Sequence, residues 1–110
     1  MDSFGIALSG LQAAQAQINV AANNIANVNT PGFSAQSVNQ VDVPGGGVDV
    51  ADIQSTGQPV DLAAQLVKLR QAAVIYDANA MVLDVQNRMV GSVLNVLDNQ
   101  NQDQGWDNSY

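Results

Sequence analysis

The sequence contains neither cysteine nor histidine. Without cysteine, the chain can form neither a disulfide framework nor a thiolate metal site. Without histidine, it lacks the commonest metal ligand and the usual general base of enzymes. Its only lysine is Lys68, so no nucleophile and base can be paired. We therefore expect a protein without enzymatic activity, without a bound metal and without a cofactor.

Basic residues are also scarce, because 3 Lys and Arg stand against 10 acidic residues, for a net charge of −7. Binding to nucleic acid needs clustered cations, and so does attraction to anionic lipid, so neither partner is expected. No run reaches the roughly 18 to 20 apolar residues of a membrane span, which argues against membrane insertion. The N-terminus lacks a basic region followed by an apolar core, so we expect no cleaved signal peptide.

Aromatic residues make up only 5% of the chain, and many of its apolar residues are alanine or valine. A chain of 110 residues forms one domain, and here a thick core is not expected. What the sequence does have is a heptad stripe at each end, with apolar residues at alternating steps of three and four. Such spacing is typical of coiled-coil helices. The stripes are Phe4, Ala7, Leu11, Ala14, Ile18, Ala21, Ile25, Val28 and Leu62, Leu66, Leu69, Ala73, Tyr76, Ala80, Leu83, Asn87, Val90, Leu94, Leu97.

These stripes predict a mainly α fold, in which two long helices from the N- and C-termini pair as an antiparallel coiled coil. A short β-hairpin or extended segment is expected between them. Within this one domain, we expect the chain to be divided into an N-terminal helix (1–30), a connector (31–59), a C-terminal helix (60–98) and a flexible polar tail (99–110). The expected intramolecular seam consists of Phe4, Leu11, Ile18, Ile25, Leu62, Leu69, Tyr76 and Leu83.

The connector changes its periodicity. Valine and aspartate alternate at 41–43 and again at 48–50, on either side of the break Pro44–Gly47. This arrangement predicts two short strands around a glycine turn, and a flexible linker is the alternative. The second helix is expected to begin after Pro59, with Asp61 as its N-cap, and to end near Leu97.

The second helix is expected to be longer than the first, so its last third has no partner within the chain. That third is apolar beyond its seam, and a helix that is apolar on two sides is buried on two sides. Trp106 in the tail could anchor on a partner, or it could be incidental. Asn87 could fix the register of the seam or face solvent. The predicted contacts with other subunits on this helix are Val82, Val85, Met89, Val93 and Val96.

Asparagines cluster at the end of the first helix, in the run Asn-Asn-Ile-Ala-Asn at 23–27, and Thr-Pro-Gly-Phe follows at 30–33. Amides at Asn23, Asn24 and Asn27 can bond to neighbouring subunits, or they can simply help to end the helix. These runs closely resemble the N-terminal signature of the bacterial flagellar axial family, the rod and hook proteins. The segments at 46–53 and 60–97 are similar to the strand and C-terminal helix of the rod proteins.

The resemblance implies a structural subunit of the flagellar basal-body rod, or a rod-like accessory, in the periplasmic part of the flagellum. It implies partners in other copies of the chain, other rod subunits and the flagellar type III export apparatus. It also favours hydrogen bonds from Asn23, Asn24 and Asn27 to neighbouring subunits over helix termination alone. The chain is shorter than usual rod subunits, and its linker at 56–59 is truncated. An alternative function is a non-assembling adaptor, a chaperone-like hairpin that binds an export substrate through its second stripe.

Overall fold

The computed structural model describes residues 3–107, and the side chains of residues 3–100. Four elements follow one another: α1 (Ser3–Ala26), β1 (Gln36–Asp42), β2 (Val48–Ser55) and α2 (Leu62–Asp107). The described part is elongated, with extents of 81 × 27 × 15 Å. The predictions of a mainly helical fold and of a hairpin between the two helices are confirmed. None of the helices in this part is long and apolar enough to cross a membrane.

α1 ends through its own asparagines and the turn that follows. The Asn27 side chain donates to the carbonyl of Asn23 at 2.9 Å and accepts a hydrogen bond from the Thr30 hydroxyl at 3.1 Å. Pro31 and Gly32 then occupy a four-residue turn, closed by the Phe33 amide on the Thr30 carbonyl at 3.2 Å. Gly32 has φ +76°, as the third position of a type II turn requires. The chain therefore reverses sharply out of the helix.

The hairpin is antiparallel, with Val38 opposite Ile53, and it has an irregularity between Asn39 and Gln40. Its turn contains three consecutive glycines at positive φ, Gly45, Gly46 and Gly47, a conformation that side chains disfavour. The turn contacts α1: a Cβ on Gly46 would lie 2.7 Å from Cδ1 of Ile6. The hairpin therefore docks its turn, as well as its base, against the first helix.

α2 begins at the expected cap. The Asp61 carboxylate accepts a hydrogen bond from the Ala64 amide at 3.2 Å, which satisfies an amide of the first turn. The helix does not end near Leu97 but continues to Asp107. Between these two residues there is no proline, and no glycine occurs before Gly105, so nothing in the amide-rich segment stops the helix. The contact proposed for Trp106 falls outside the described side chains.

The two helices lie against each other and run in opposite directions. Three contacts define the register: Ser3 with Gln86, Gly10 with Asn79, and Asn24 with Gln65. The residue numbers of each pair add up to 89. α1 therefore covers α2 only as far as Gln86, and residues 87–107 of α2 (the overhang) extend beyond it. Coiled-coil packing between the two helices stays a prediction.

The interior is built from small residues. The buried apolar residues of the described part are Ala7, Ala13, Ala14, Val20, Ala21, Ala35 and Ala72, and the largest fully buried side chain is Asn24. Large apolar side chains lie instead on the surface of both helices. Since burial of a large aliphatic side chain stabilises by about 1.5 to 3 kcal/mol, most of this potential stability is unused in the isolated chain.

Two glycine substitutions test this description. Gly46→Ala should lower the free energy of unfolding by about 1 to 3 kcal/mol, because alanine is strained at φ +117° and would crowd Ile6. Gly91→Ala, at an open helical site in the overhang, should instead raise helicity and add about 1 kcal/mol to the stability of the helix. Urea unfolding followed by circular dichroism measures both, and equal effects of the two variants would contradict the description.

Candidate assembly interface

The face that α2 turns toward α1 is a heptad seam, but a different one from that expected. Residues with little exposure recur on α2 at steps of four and three, and their counterparts on α1 follow the same spacing. We call these positions the inner seam. On α1 they are Ser3, Ala7, Gly10, Ala14, Gln17, Ala21 and Asn24, and on α2 they are Gln65, Leu69, Ala72, Tyr76, Asn79, Leu83 and Gln86.

Every second position of the inner seam on α2 matches the expected seam: Leu69, Tyr76 and Leu83 lie there and are half-buried. The other expected residues do not. Phe4 is 50% and Leu62 is 43% exposed. Leu11, Ile18 and Ile25 each follow an inner-seam residue by one position and lie half-buried on the flank.

The physical reason is the composition of the inner seam. The positions that complete it on α1 are filled by Ser3, Gly10, Gln17 and Asn24, whose side chains are polar or absent. At one end of the seam, the Gln86 side-chain amide donates a hydrogen bond to the Ser3 hydroxyl. Gly10 packs so closely on Asn79 that a Cβ added to the glycine would lie 2.7 Å from the Asn79 side-chain amide. On α1 the heptad pattern of large apolar residues therefore identifies positions that follow the residues in contact with α2 by one.

Asn24 connects three elements. Its amide nitrogen donates to the Gln36 carbonyl at 2.8 Å and to the Gln65 side chain at 3.0 Å, while its oxygen accepts from the Gln36 amide at 2.8 Å. The side chain thus pairs with the backbone of β1 as a neighbouring strand would, and it is fully buried. Asn24 was expected at a contact with other subunits; its amide is instead used within the chain, where it ties α1 to β1 and α2.

The two neighbouring asparagines are placed differently. Asn23 is exposed and donates to the Gln36 side chain at 3.3 Å. Asn27 is half-buried and serves to end α1, through its bonds to Asn23 and Thr30. Of the three asparagines, Asn23 is therefore the one whose side chain remains most accessible.

The flank of α1 beside the inner seam carries a second heptad pattern, which we call the α1 outer stripe. Its members are half-buried or exposed, and only one of them, a glutamine, is polar. No residue between 3 and 26 is charged, so the whole helix is electrically neutral. The α1 outer stripe consists of Phe4, Leu8, Leu11, Gln15, Ile18, Ala22 and Ile25.

α2 carries a similar pattern, the α2 outer stripe, on the side that faces away from the inner seam. All of its members are exposed, and Met81 reaches 68%. Again a single glutamine interrupts the apolar positions. The α2 outer stripe consists of Val67, Gln71, Val74, Ala78, Met81 and Val85.

Through Gln100, the overhang is apolar on a broad face. The five residues predicted to contact other subunits lie in the overhang or just before it, and all are exposed. Their exposed fractions are 44% for Val82, 52% for Val85, 62% for Met89, 58% for Val93 and 55% for Val96. Val90, Leu94 and Leu97 widen this face, and all three are more than half exposed. Asn87 is exposed as well, one position after the inner-seam residue Gln86. The described chain thus presents apolar surface along its full length.

The hairpin covers one flank of the pair. It packs on α1 and leaves a groove of about 550 Å³ toward α2, lined by residues such as Val20, Lys68 and Ile75. Through residues 3–100, no three acidic side chains come together in a way that could hold a metal ion. The ion pair between Arg88 and Asp84 is exposed, and a pair of this kind contributes little. Apolar contact is the interaction that this surface offers.

Substitution of Asn24 tests the connection among the three elements. Asn24→Ala should lower the free energy of unfolding by about 2 to 3 kcal/mol, because the Gln36 backbone and the Gln65 amide lose their partners. It should also remove the protection of the Gln36 amide against hydrogen exchange. Asn23→Ala, the matched control, loses two long, exposed hydrogen bonds, one to Gln36 and one from Asn27, and should cost less than about 1 kcal/mol. Equal losses of unfolding free energy in the two variants would show that the buried hydrogen bonds of Asn24 stabilise the fold no more than the exposed ones of Asn23.

Comparison with known proteins adds an independent observation. The family model described as "Flagella basal body rod protein" matches residues 4–33, which comprise nearly all of α1 and the turn after it. No curated protein matches this chain. Rod proteins are a structural, non-enzymatic family of the flagellum. The match includes both motifs that carry the resemblance in the sequence, and it supports the assignment of the chain to the flagellar basal body rod proteins.

Proposed function

We propose that this protein is a structural subunit of the bacterial flagellar rod, or a rod-like accessory, that assembles by helix packing after type III export. The observation that carries the proposal is the inverted distribution of its side chains. The contact between the two helices consists mainly of alanine, glycine, serine and amides, with Leu69, Tyr76 and Leu83 of α2 half-buried among them. Most of the leucine, isoleucine, valine and methionine side chains lie outside it. The match to the rod family gives this surface a biological setting.

The relative size of the two surfaces favours assembly over a monomeric role. Most inner-seam residues are alanines or amides, which contribute little apolar buried area, and the three large ones, Leu69, Tyr76 and Leu83, are only half-buried, so the inner seam alone stabilises the pair weakly. Twenty large apolar residues of the described part remain exposed, far more than the scattered surface residues of an ordinary monomer. Contacts with neighbouring subunits would bury them. Rod components of the same family are the expected partners.

We further propose that the helices pair as a coiled coil and that Val82, Val85, Met89, Val93 and Val96 contact other subunits. These residues are all exposed in the single chain. Asn23 can add a hydrogen bond at such a contact, because its side chain is exposed. Export without a cleaved signal follows the family resemblance. The adaptor alternative has no specific structural support, and a stable one-to-one complex with an export substrate would be its signature.

A charge scan of the overhang tests the proposed assembly. Val93→Asp with Leu94→Asp places two carboxylates on the apolar face, whereas Ser92→Asp with Asn95→Asp places them on the polar side of the same turn. In a strain lacking the gene, the first double variant should be exported but absent from purified basal bodies, with motility lost. The control should be incorporated and restore motility.

Two results would contradict the proposal. One is a strain without the gene that swims normally and forms complete rods. The other is normal incorporation of the Val93→Asp, Leu94→Asp chain, because two buried carboxylates would oppose helix packing strongly. Circular dichroism of the purified variants checks that both retain the helices seen in the unmodified chain.

A further inference from the structure

We infer that the groove between β1 and α2 binds an extended, acidic segment of a different protein, which adds to the outer edge of β1 as a third strand. In this mode of recognition, main-chain hydrogen bonds supply affinity and side chains supply selectivity. The groove is a feature of the single chain, so this binding does not depend on the proposed assembly into a rod.

Alternate residues of β1 turn their backbone groups away from β2. The amides of Ala35 and Val43, which flank β1, both donate to residues that adjoin β2. Because this direction alternates along a strand, the odd-numbered positions bond toward β2 and the even-numbered ones face the outer edge. The irregularity in the ladder places its extra residue, Ala51, in β2, so the alternation along β1 is unbroken.

Asn24 occupies the first position of this outer edge. Its side chain pairs with the N–H and the C=O of Gln36 as a third strand would, and it also reaches Gln65 of α2. Val38 and Gln40 follow on the same edge. None of the hydrogen bonds that residues 3–100 form outside the hairpin ladder uses the backbone groups of these two residues. Two donors and two acceptors are therefore open to an added strand.

The open edge lines the groove of about 550 Å³. Both partners of the Asn24 side chain lie at one end of it, and from there β1 forms one wall as far as Gln40. α2 forms the other wall from Gln65 to Ile75. Four steps along a strand cover about 13 Å and ten along a helix about 15 Å, so the two walls have matching lengths. Small residues of α1 leave room for the side chains of a strand: Ala13, Ala14 and Ala21.

Charge selects the kind of strand that fits. Among the described residues that line the groove, Lys68 is the only charged one, and it is exposed. On a chain with net charge −7, an acidic segment meets a cation here instead of repulsion. Since an exposed ion pair contributes little free energy, Lys68 sets the preference for an acidic segment, and the backbone of β1 holds it.

The segment comes from a different protein because this chain has none to spare. Between residues 3 and 107, valine and aspartate alternate only at 41–43 and 48–50, and both stretches already belong to the hairpin or its turn. A bond from the Val48 amide to the Ser9 hydroxyl holds β2 against α1. The connections 27–35 and 56–61 contain one acidic residue between them, Asp61, which caps α2.

Amide hydrogen exchange of the full-length protein with a model strand tests the site. The probe is a capped Thr-Val-Asp-Val-Thr peptide, and a capped Thr-Val-Lys-Val-Thr peptide is the charge control. At saturation, the acidic peptide should slow exchange of the Val38 and Gln40 amides by about tenfold or more. The Ser37 and Asn39 amides, which already bond to β2, should change little. The lysine peptide should bind about fivefold more weakly.

Three variants separate the edge from the charge. Val38→Pro removes an outward N–H without removing a bond to β2, and it should abolish binding. Asp42→Pro, the matched control, removes an outward N–H of the same edge beyond the groove and should leave binding intact. Lys68→Gln should bind both peptides with similar affinity. Retained protection of the Val41 amide shows that a variant keeps the hairpin, and if Val38→Pro loses it, the Lys68→Gln comparison still decides.

Three results would overturn the inference. One is exchange at Val38 and Gln40 that the acidic peptide does not slow, and another is equal binding of the two peptides to the unmodified protein. The third is protection of these amides that grows with protein concentration in the absence of peptide, which would show that a second copy occupies the edge. Incorporation of the chain into basal bodies is scored separately, so the proposed function can stand or fail without the groove.

Discussion

The hydrogen bonds of Asn24 fix the arrangement on which the rest of the structure depends. One buried side chain pairs with the backbone of β1 and with Gln65 of α2, and so it sets the position of the hairpin and the register of the helices together. A buried amide is costly if unpaired, so registers that break these bonds are disfavoured. Small apolar residues alone could not choose a register, because alanine fits almost equally well against any turn of a partner helix.

Once the register is fixed, it determines which side chains of α1 and α2 lie between the helices and which lie outside. On α1 the inner seam takes alanines, a glycine and polar residues, and the large residues one position later are left on the flank. Polar contacts thus specify how the chain pairs with itself, and large apolar side chains remain exposed outside that pairing.

Much of the fold could be predicted from residues with a definite local effect. Asp61 as an N-cap, the glycine turn of the hairpin and the break after Asn27 each follow from backbone chemistry that acts within a few residues. The mainly helical fold followed from the heptad stripes, and the hairpin between the helices followed from the alternation of valine and aspartate around the glycine turn. The family match at residues 4–33 agrees with the motif that the sequence displays.

The candidate interface could be predicted only in part, for physical reasons. A heptad pattern identifies apolar faces but not which of two adjacent faces meets the partner in the chain, and here Gln65 and Asn24 occupy the contact in place of Leu66 and Ile25. The role of Asn24 depends on Gln36 and Gln65, which are far from it in sequence. The end of α2 was missed because amide-rich segments neither favour nor stop a helix strongly.

In the proposed assembly, the large apolar side chains on the outside of this chain become buried between subunits. Oxidation of methionine by peroxide measures this burial most directly, since Met81 and Met89 are 68% and 62% exposed in the single chain. Mass spectrometry should find both methionines oxidised quickly in the dilute protein and at least tenfold more slowly in purified basal bodies, because packed neighbours exclude the oxidant. Equal oxidation rates in the two states would contradict the account.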